Sequence, residues 1–410
     1  MAMSWLNQTA EFLSDALANQ RTRIPFIAAT GASFTLGLFL SSLLSKQETP
    51  GVLPSPRTTM LPALSDSEKS ALPLPPDVLP GARDVPTPYG SIRVYEWGPE
   101  DGPKVLFVHG ITTPCLSLGG IAHAMADKGC RVMLFDLFGR GYSDSPADLP
   151  QDERLFTTQI LLALSSSPLS WTGAGSGRFC LVGYSLGGGI AAAFASYFPE
   201  LLSSLVLLAP AGLIRDSAIS FQSRLLYSNG LVPEMVLSFL VGRRLRAGPL
   251  IQPKPKKQKV NASDAITEEL PTQGQANVQL LSRAYPNVTV PDAVYWQVLN
   301  HVGFVWSFMS SMRHGPILRE RQLETWKRLG KILTAQKSLS PAEQQAKGLR
   351  NGKVLILCGN HDSIIVREEL VEDATAALEG NVEFRYFDAG HEFPSTKYDE
   401  VAQHILDFWG

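Results

Sequence analysis

Short apolar runs alternate with longer amphipathic stretches from residue 89 to the end of the chain. Runs that are apolar throughout are typical of strands covered on both faces, and the longer stretches between them are typical of crossover helices. The pattern therefore predicts an α/β fold with a mostly parallel sheet flanked by helices. The predicted strands cover residues 92–97, 105–108, 131–135, 179–182, 205–208, 354–357 and 382–387.

One long segment interrupts this alternation between the strands at 205–208 and 354–357. It covers about residues 213–350 and contains the aromatic stretch AVYWQVLNHVGFVWSF. An insertion of this size between two core strands is either a separate cap or a long functional excursion. We interpret it as a largely helical cap or lid, which leaves residues 85–212 and 351–410 as the core.

The N-terminal part has a different pattern. After an N-terminal segment at 1–23, residues 24–44 are 21 positions without a charge, long enough as a helix to cross about 30 Å of hydrocarbon. They predict a single-pass transmembrane anchor, with a cleaved signal or transit peptide as the alternative. Basic residues are balanced on its two sides and do not orient it, and we expect a membrane location with the endoplasmic reticulum favoured. The many prolines of 45–84 predict a linker that does not pack.

Composition narrows the classes of function. Of the 410 residues, 44% are hydrophobic and 18% charged, which is typical of a globular chain and not of a disordered one. Lys and Arg number 36 against 38 Asp and Glu, so the chain lacks the basic surplus that drives nucleic-acid binding, and we expect no nucleic-acid partner. The four cysteines show no disulfide or metal-binding spacing, and we expect neither a metal nor an organic cofactor.

The sharpest chemical signal is the sequence Gly183-Tyr184-Ser185-Leu186-Gly187. It follows a predicted strand and opens a helix of small residues. A nucleophile on a tight strand-to-helix turn needs small residues two positions before and after it, because larger side chains would collide there. The helix N-terminus also favours developing negative charge. Ser185 is therefore the predicted nucleophile.

A serine needs a general base, and a histidine base needs an acid to orient it. His391 lies in a loop directly after the last predicted strand, and Asp362 follows the strand at 354–357. Functional groups gather at the carboxyl ends of strands in an open parallel sheet, so both side chains can reach Ser185. We predict His391 as the base and Asp362 as the acid, with Asp216 as the alternative acid.

The oxyanion of the reaction requires two backbone donors. The strand at 105–108 runs into HGITT, and the N–H groups of Ile111 and Leu186 are the predicted pair. Aromatic residues of the cap suggest an apolar pocket, although the same stripe could equally pack the cap on the core. The residues predicted to bind substrate are Thr112, Tyr184, Trp296 and Trp306.

The motifs VLFVHG, FDLFGRGYSD, GYSLGG, GNHD and AGHEF, in this order, resemble the α/β-hydrolase superfamily. The resemblance covers about residues 88–212 and 351–410 and is to the serine-hydrolase branch, which carries a cap after the sixth strand. It implies that His109 is a structural histidine before the oxyanion loop. Epoxide hydrolases and haloalkane dehalogenases look similar but use an aspartate as nucleophile, and Ser185 argues against both.

The resemblance also implies a role for each site residue. Those residues are the nucleophile Ser185, the acid Asp362, the base His391 and the oxyanion donors Ile111 and Leu186. We expect a lipase-like serine hydrolase that cleaves a small, apolar carboxylic ester through an acyl-enzyme, while residues 24–44 contact the membrane. The alternatives are a thioesterase or acyl-transfer or condensing enzyme acting on a biosynthetic intermediate, and a non-catalytic ligand-binding protein with this scaffold.

Overall fold

The computed structural model describes residues 51–172, 177–216, 234–246, 280–340 and 352–410, together with residues 343, 348 and 349. The segments predicted at 1–23 and 24–44 lie outside these ranges. Within the described ranges, no helix combines the length and the apolar character needed to cross a membrane.

An eight-stranded sheet forms the centre of the fold, and a separate pair of two-residue strands, β1 and β6, lies beside it. The strands are β1 (Val52–Leu53), β2 (Arg83–Val85), β3 (Ile92–Trp97), β4 (Lys104–Val108), β5 (Arg131–Phe135), β6 (Ser145–Pro146), β7 (Phe179–Tyr184), β8 (Leu202–Leu208), β9 (Val354–Gly359) and β10 (Val382–Phe387). The order in the large sheet is β10-β9-β8-β7-β4-β5-β3-β2.

Six neighbouring strands of the large sheet, β10 to β5 in that order, are parallel, and β3 and β2 complete the sheet in antiparallel pairs. The predicted α/β fold with a mostly parallel sheet is confirmed. All seven predicted strands are present, because runs such as VLFV and VLIL are buried on both faces of the sheet, as a central parallel strand requires. Only the short strands β1, β2 and β6 were not predicted.

Twelve α-helices within the described residues accompany the strands. They are α1 (Pro56–Thr59), α2 (Asp66–Ser70), α3 (Gly119–Asp127), α4 (Glu153–Ser165), α5 (Leu186–Tyr197), α6 (Glu234–Arg246), α7 (Val290–Asn300), α8 (Phe304–His314), α9 (Arg319–Lys337), α10 (Arg367–Ala377), α11 (Phe393–Thr396) and α12 (Tyr398–Trp409). Helices α6 to α9 lie in the insertion that follows β8, the sixth strand of the large sheet.

The last helix of the insertion belongs to the core layer. Helix α9 packs against α5 and α10, and its side chains Trp326, Leu329 and Leu333 are fully buried. Their spacing of three and four residues places them on one face of the helix. The described part of the predicted cap at 213–350 therefore divides into α6, α7 and α8, which contact one another, and α9, which packs on the core.

The prediction that residues 45–84 form an unpacked linker is wrong for the described part of that range. Leu74, Val78 and Leu79 are almost completely buried in the core. The backbone is held as well, since Tyr142 Oη donates to the carbonyl of Leu74 and Ser282 Oγ donates to that of Val78. Prolines interrupt regular elements, but they leave apolar side chains free to pack. We call residues 51–82 the N-terminal strap.

Candidate active site

Ser185 lies in the turn between β7 and α5, with φ of 54° and ψ of −119°. A positive φ is rare for a residue with a side chain, and the surrounding packing holds it. A Cβ at Gly187 would collide with the carbonyl oxygen of Val108, and one at Gly183 would collide with the carbonyl oxygen of Gly187. The small residues of the motif are thus required by the close approach of β4, β7 and α5.

Ser185, His391 and Asp362 form one chain of hydrogen bonds. His391 Nε2 lies 3.0 Å from Ser185 Oγ, and His391 Nδ1 lies 2.7 Å from Asp362 Oδ2. A carboxylate only accepts, so Nδ1 donates to Asp362 and Nε2 accepts from the serine hydroxyl. Because β7, β9 and β10 are parallel, the loops after their carboxyl ends bring the three residues together.

The loop after β9 fixes the acid. Asp362 Oδ1 accepts from the backbone N–H groups of Ile364 and Ile365, each at 2.8 Å, which leaves Oδ2 for His391. Both ring nitrogens of His391 are engaged, by Ser185 and Asp362, whereas Asp216, the alternative acid, is half-buried with its N–H facing Glu320 Oε1 at 3.4 Å. The geometry thus selects Asp362.

Two further residues hold the loop of the base. Tyr184 Oη donates to the backbone carbonyl of His391 at 3.1 Å, and the two rings pack with centroids 5.2 Å apart. Glu392 Oε1 accepts from the N–H of Gly390 at 3.2 Å, and burial raises the pKa of this carboxyl. Tyr184, predicted to bind substrate, therefore supports His391, and Glu392 was not predicted at all.

The loop after β4 and the first turn of α5 carry the two predicted oxyanion donors. In the sheet register, Val108 is paired with Gly183, so Ile111 and Leu186 each follow this pair by three residues. Leu186 is the first residue of α5, and the N–H groups of a first helical turn have no acceptor within the helix. The two predicted donors thus follow neighbouring strands, one in a loop and one at the start of a helix, at the edge of the sheet that carries Ser185.

His109 orients the peptide that carries the Ile111 N–H. His109 Nε2 accepts from the N–H of Leu137 at 2.8 Å, so Nδ1 is the protonated nitrogen and donates to the carbonyl of Gly110 at 2.9 Å. Burial, aided by the nearby Arg140 charge, lowers the pKa of His109 to about 3. A histidine that stays neutral keeps this donor and acceptor pattern at physiological pH.

The remaining predicted substrate residues lie in different surroundings. Thr112 is fully buried, and its carbonyl accepts from Gln297 Nε2 of helix α7. Trp296 is buried against the ring of Tyr142, with centroids 5.5 Å apart. Trp306 is half-buried and lines a surface cavity of about 240 Å³ together with Pro150 and Arg313. None of these described contacts joins either tryptophan to Ser185.

The other aromatic residues of the cap are partly buried in the core and partly exposed. Phe304 and Phe308 are buried in the core, whereas Tyr295 is 49% exposed. Aromatic side chains at helical spacing mostly pack helices together, which was the second interpretation that the sequence allowed. Two buried polar residues near the oxyanion loop, Arg140 and Gln297, were not predicted; Arg140 lies within FDLFGRGYSD, while nothing in the pattern of α7 distinguishes Gln297.

Comparison with known proteins agrees with this geometry. The model of the alpha/beta hydrolase family matches residues 105–404, and the chain belongs to this family. An uncharacterized protein of Mycobacterium tuberculosis is 32% identical over 147 residues, which are 36% of this chain and 40% of that protein. A serine hydrolase-like protein of Mus musculus is 29% identical over 132 residues, which are 32% of this chain and 40% of that protein. The matches therefore span less than half of these relatives.

Solved structures share the fold at low sequence identity. A hydrolase from Pseudomonas aeruginosa PA01 is 18% identical with a TM-score of 0.50, over 80% of this chain and 98% of its own. A bacterial membrane phospholipase A is 18% identical with a TM-score of 0.50, over 94% of this chain and 96% of its own. Both likenesses concern the fold alone.

Proposed function

We propose that this chain is a serine hydrolase that cleaves a carboxylic ester through an acyl-enzyme intermediate. The observation that carries the proposal is the hydrogen-bonded chain from Ser185 through His391 to Asp362, with distances of 3.0 and 2.7 Å. A buried histidine between a serine hydroxyl and a carboxylate is the arrangement that activates a serine for attack. Membership of the alpha/beta hydrolase family supports the same class of chemistry.

The reaction follows from these contacts. Ser185 Oγ forms a bond to the acyl carbon while its proton moves to His391 Nε2, and the carbonyl electron pair moves to the oxygen. Asp362 stabilises the imidazolium through Nδ1–H, and the N–H groups of Ile111 and Leu186 bind the oxyanion. Collapse of this intermediate expels the alcohol, which takes the proton from His391. Water activated by the same histidine then releases the acid and restores Ser185.

The substrate is proposed to be apolar. Helix α7 places Trp296 against Tyr142 of the loop that follows β5, and α8, which contacts α7, buries Phe304 and Phe308. The uncharged segment 24–44 supports the same view, because an enzyme anchored in a membrane meets lipid-soluble esters at high local concentration. The membrane anchor and the membrane location are part of this proposal.

Hydrolysis of matched substrates tests the proposal. Acetate, butyrate, octanoate and palmitate esters of p-nitrophenol are assayed beside the thioesters of the same acids, with Ser185→Ala as the blank. We expect ester turnover that rises with chain length up to octanoate and disappears in Ser185→Ala. Faster turnover of thioesters would favour a thioesterase, and no turnover of either class above the Ser185→Ala blank would contradict the proposal and favour a ligand-binding protein.

A further inference from the structure

The oxyanion loop at 110–113 is held by side chains from outside it. The carbonyl of Ile111 accepts from Arg140 Nε at 3.0 Å, and the next carbonyl, that of Thr112, accepts from Gln297 Nε2. With the His109 contact to the preceding carbonyl, three consecutive peptide groups are fixed in orientation. Rotation of any of them would break a buried hydrogen bond and leave a buried polar group without its partner.

Gln297 reaches this loop from the cap. It lies in α7 and is fully buried, and its Oε1 accepts from the N–H of Gly141 at 2.9 Å. The amide cannot be turned over, because its oxygen would then face the carbonyl of Thr112 and its nitrogen would face the N–H of Gly141. One side chain of the cap thus bridges the oxyanion loop and the turn after β5.

Arg140 provides a second connection to the cap. Its guanidinium is fully buried and donates to Ser311 Oγ of α8 at 2.9 Å and to Gln151 Oε1 at 2.7 Å. Ser311 Oγ in turn donates to the same oxygen of Gln151 at 3.0 Å. A buried polar network of this kind accepts one arrangement of its members, whereas apolar contacts would tolerate sliding.

We propose that Gln297 and Arg140 are positioning residues of the oxyanion hole. Through their hydrogen bonds, the packing of α7 and α8 against the core sets the orientation of the Ile111 N–H. The inference rests on the proposed function. Hole donors must lie within hydrogen-bond distance of an oxygen that becomes an anion only as the tetrahedral intermediate forms. Loosening the loop therefore weakens binding of the tetrahedral intermediate much more than binding of the ester. The cap in this view selects substrate and also completes the catalytic site.

Two ketones separate these effects in the full-length protein. An alkyl trifluoromethyl ketone forms a tetrahedral adduct with Ser185 whose oxyanion occupies the hole, while the methyl ketone of the same chain binds without forming it to a comparable extent. We expect Gln297→Met, which keeps the length of the side chain and removes both hydrogen bonds, to raise the Ki of the trifluoromethyl ketone about 10- to 100-fold. The Ki of the methyl ketone and the KM for p-nitrophenyl butyrate should change less than about threefold, with kcat falling in parallel with the loss of adduct binding.

Gln336→Met is the matched control. Gln336 is also buried in a helix and donates to a backbone carbonyl, that of Gly348, but it does not contact the oxyanion loop. It should change neither Ki. Equal increases in the Ki of both ketones in Gln297→Met would overturn the positioning role and leave Gln297 structural. If Gln297→Met does not fold, Gln297→Asn, whose side chain is one methylene too short to reach both Thr112 and Gly141, is judged by the same ratio.

The proposed function has its own test in the parent protein. A parent protein that binds the trifluoromethyl ketone no better than the methyl ketone would overturn the proposed function.

Discussion

His391 Nε2 lies 3.0 Å from Ser185 Oγ, although the two residues are 206 positions apart in the chain. Residues separated by such a distance meet only when the sheet between them is complete and the intervening insertion leaves its register unchanged. The proposed catalysis therefore depends on an intact core, and the most informative variants change turnover without changing stability.

The acid is tested by a pair of conservative substitutions. Asp362→Asn should lower kcat by about 10⁴, because the amide favours the wrong tautomer of His391. The variant should stay folded, since the new side chain can still accept from Ile364 and Ile365. Asp216→Asn is the control and should keep kcat within about threefold. Ester turnover of the two purified variants decides which aspartate is the acid. A large loss in Asp216→Asn and a small one in Asp362→Asn would assign the acid to Asp216.

The nucleophile turn tolerates no side chain at Gly187. Gly187→Ala should lower the free energy of unfolding by about 1–3 kcal/mol and reduce turnover, because the new Cβ meets the backbone carbonyl of Val108. Gly242→Ala in helix α6 is the matched control, since among the described residues its Cβ would meet Val305 alone, at an ordinary contact distance of 3.6 Å. It should be neutral or stabilise by up to about 1 kcal/mol. Urea unfolding curves of both variants measure the difference, and an unchanged midpoint in Gly187→Ala would contradict the role of the close approach.

Much of the site could be predicted because its signals are local. Ser185 directly follows the buried apolar strand β7, and His391 lies in the loop after β10, so the strand pattern places both at one edge of the sheet. Asp362 was predicted in the same way, from its place after β9, whereas Asp216 stayed open as the alternative because no local pattern shows how the loop after β9 closes on His391. Trp296 and Trp306 could not be assigned because an aromatic side chain has the same spacing whether it packs or binds.

The N-terminal strap shows the opposite case. Its prolines dominate the local pattern, whereas its packing depends on partners far along the chain, such as Tyr142 and Ser282. Gln297 was missed for a related reason, since a polar residue on a cap helix is ordinarily solvated. Long-range polar contacts of this kind leave no periodic signal in the sequence.

Truncation tests the strap. A chain that begins at residue 50 keeps all the described contacts and should unfold cooperatively, whereas one that begins at residue 85 loses the buried side chains Leu74, Val78 and Leu79. We expect the shorter chain to aggregate or to unfold at a clearly lower temperature. In the longer chain, Leu74→Ala should cost about 2–5 kcal/mol. Equal melting temperatures for the two chains would show that the strap does not stabilise the core.

Buried histidines make stability depend on pH. Burial lowers the pKa of His301 to about 4, and its ring bonds Ser143 and Gly303 in the neutral form. The unfolded chain therefore takes up a proton first as pH falls. The stabilisation is complete above about pH 6.5 and decreases by about 1.4 kcal/mol per pH unit for this group, down to about pH 4.

The variant His301→Gln isolates this contribution. Its free energy of unfolding should be lower than that of the parent protein at pH 7.5. Between pH 6.5 and 4.5 it should fall less steeply than that of the parent, and the difference between the two slopes should correspond to close to one bound proton. Between pH 7.5 and 8.5 the slopes of variant and parent should coincide. Identical slopes in the acidic range would mean that His301 takes up its proton at the same pH in the folded and the unfolded chain.

Covalent labelling of Ser185 tests the central claim most directly. A fluorophosphonate reacts with a serine only when a neighbouring base makes its oxygen nucleophilic, so the full-length protein should gain one adduct by intact mass, located by peptide mapping at Ser185. Ser185→Ala should gain none, and His391→Ala should react at least about 10³-fold more slowly. Folded parent protein that gains no adduct, or gains it at another residue, would contradict the account.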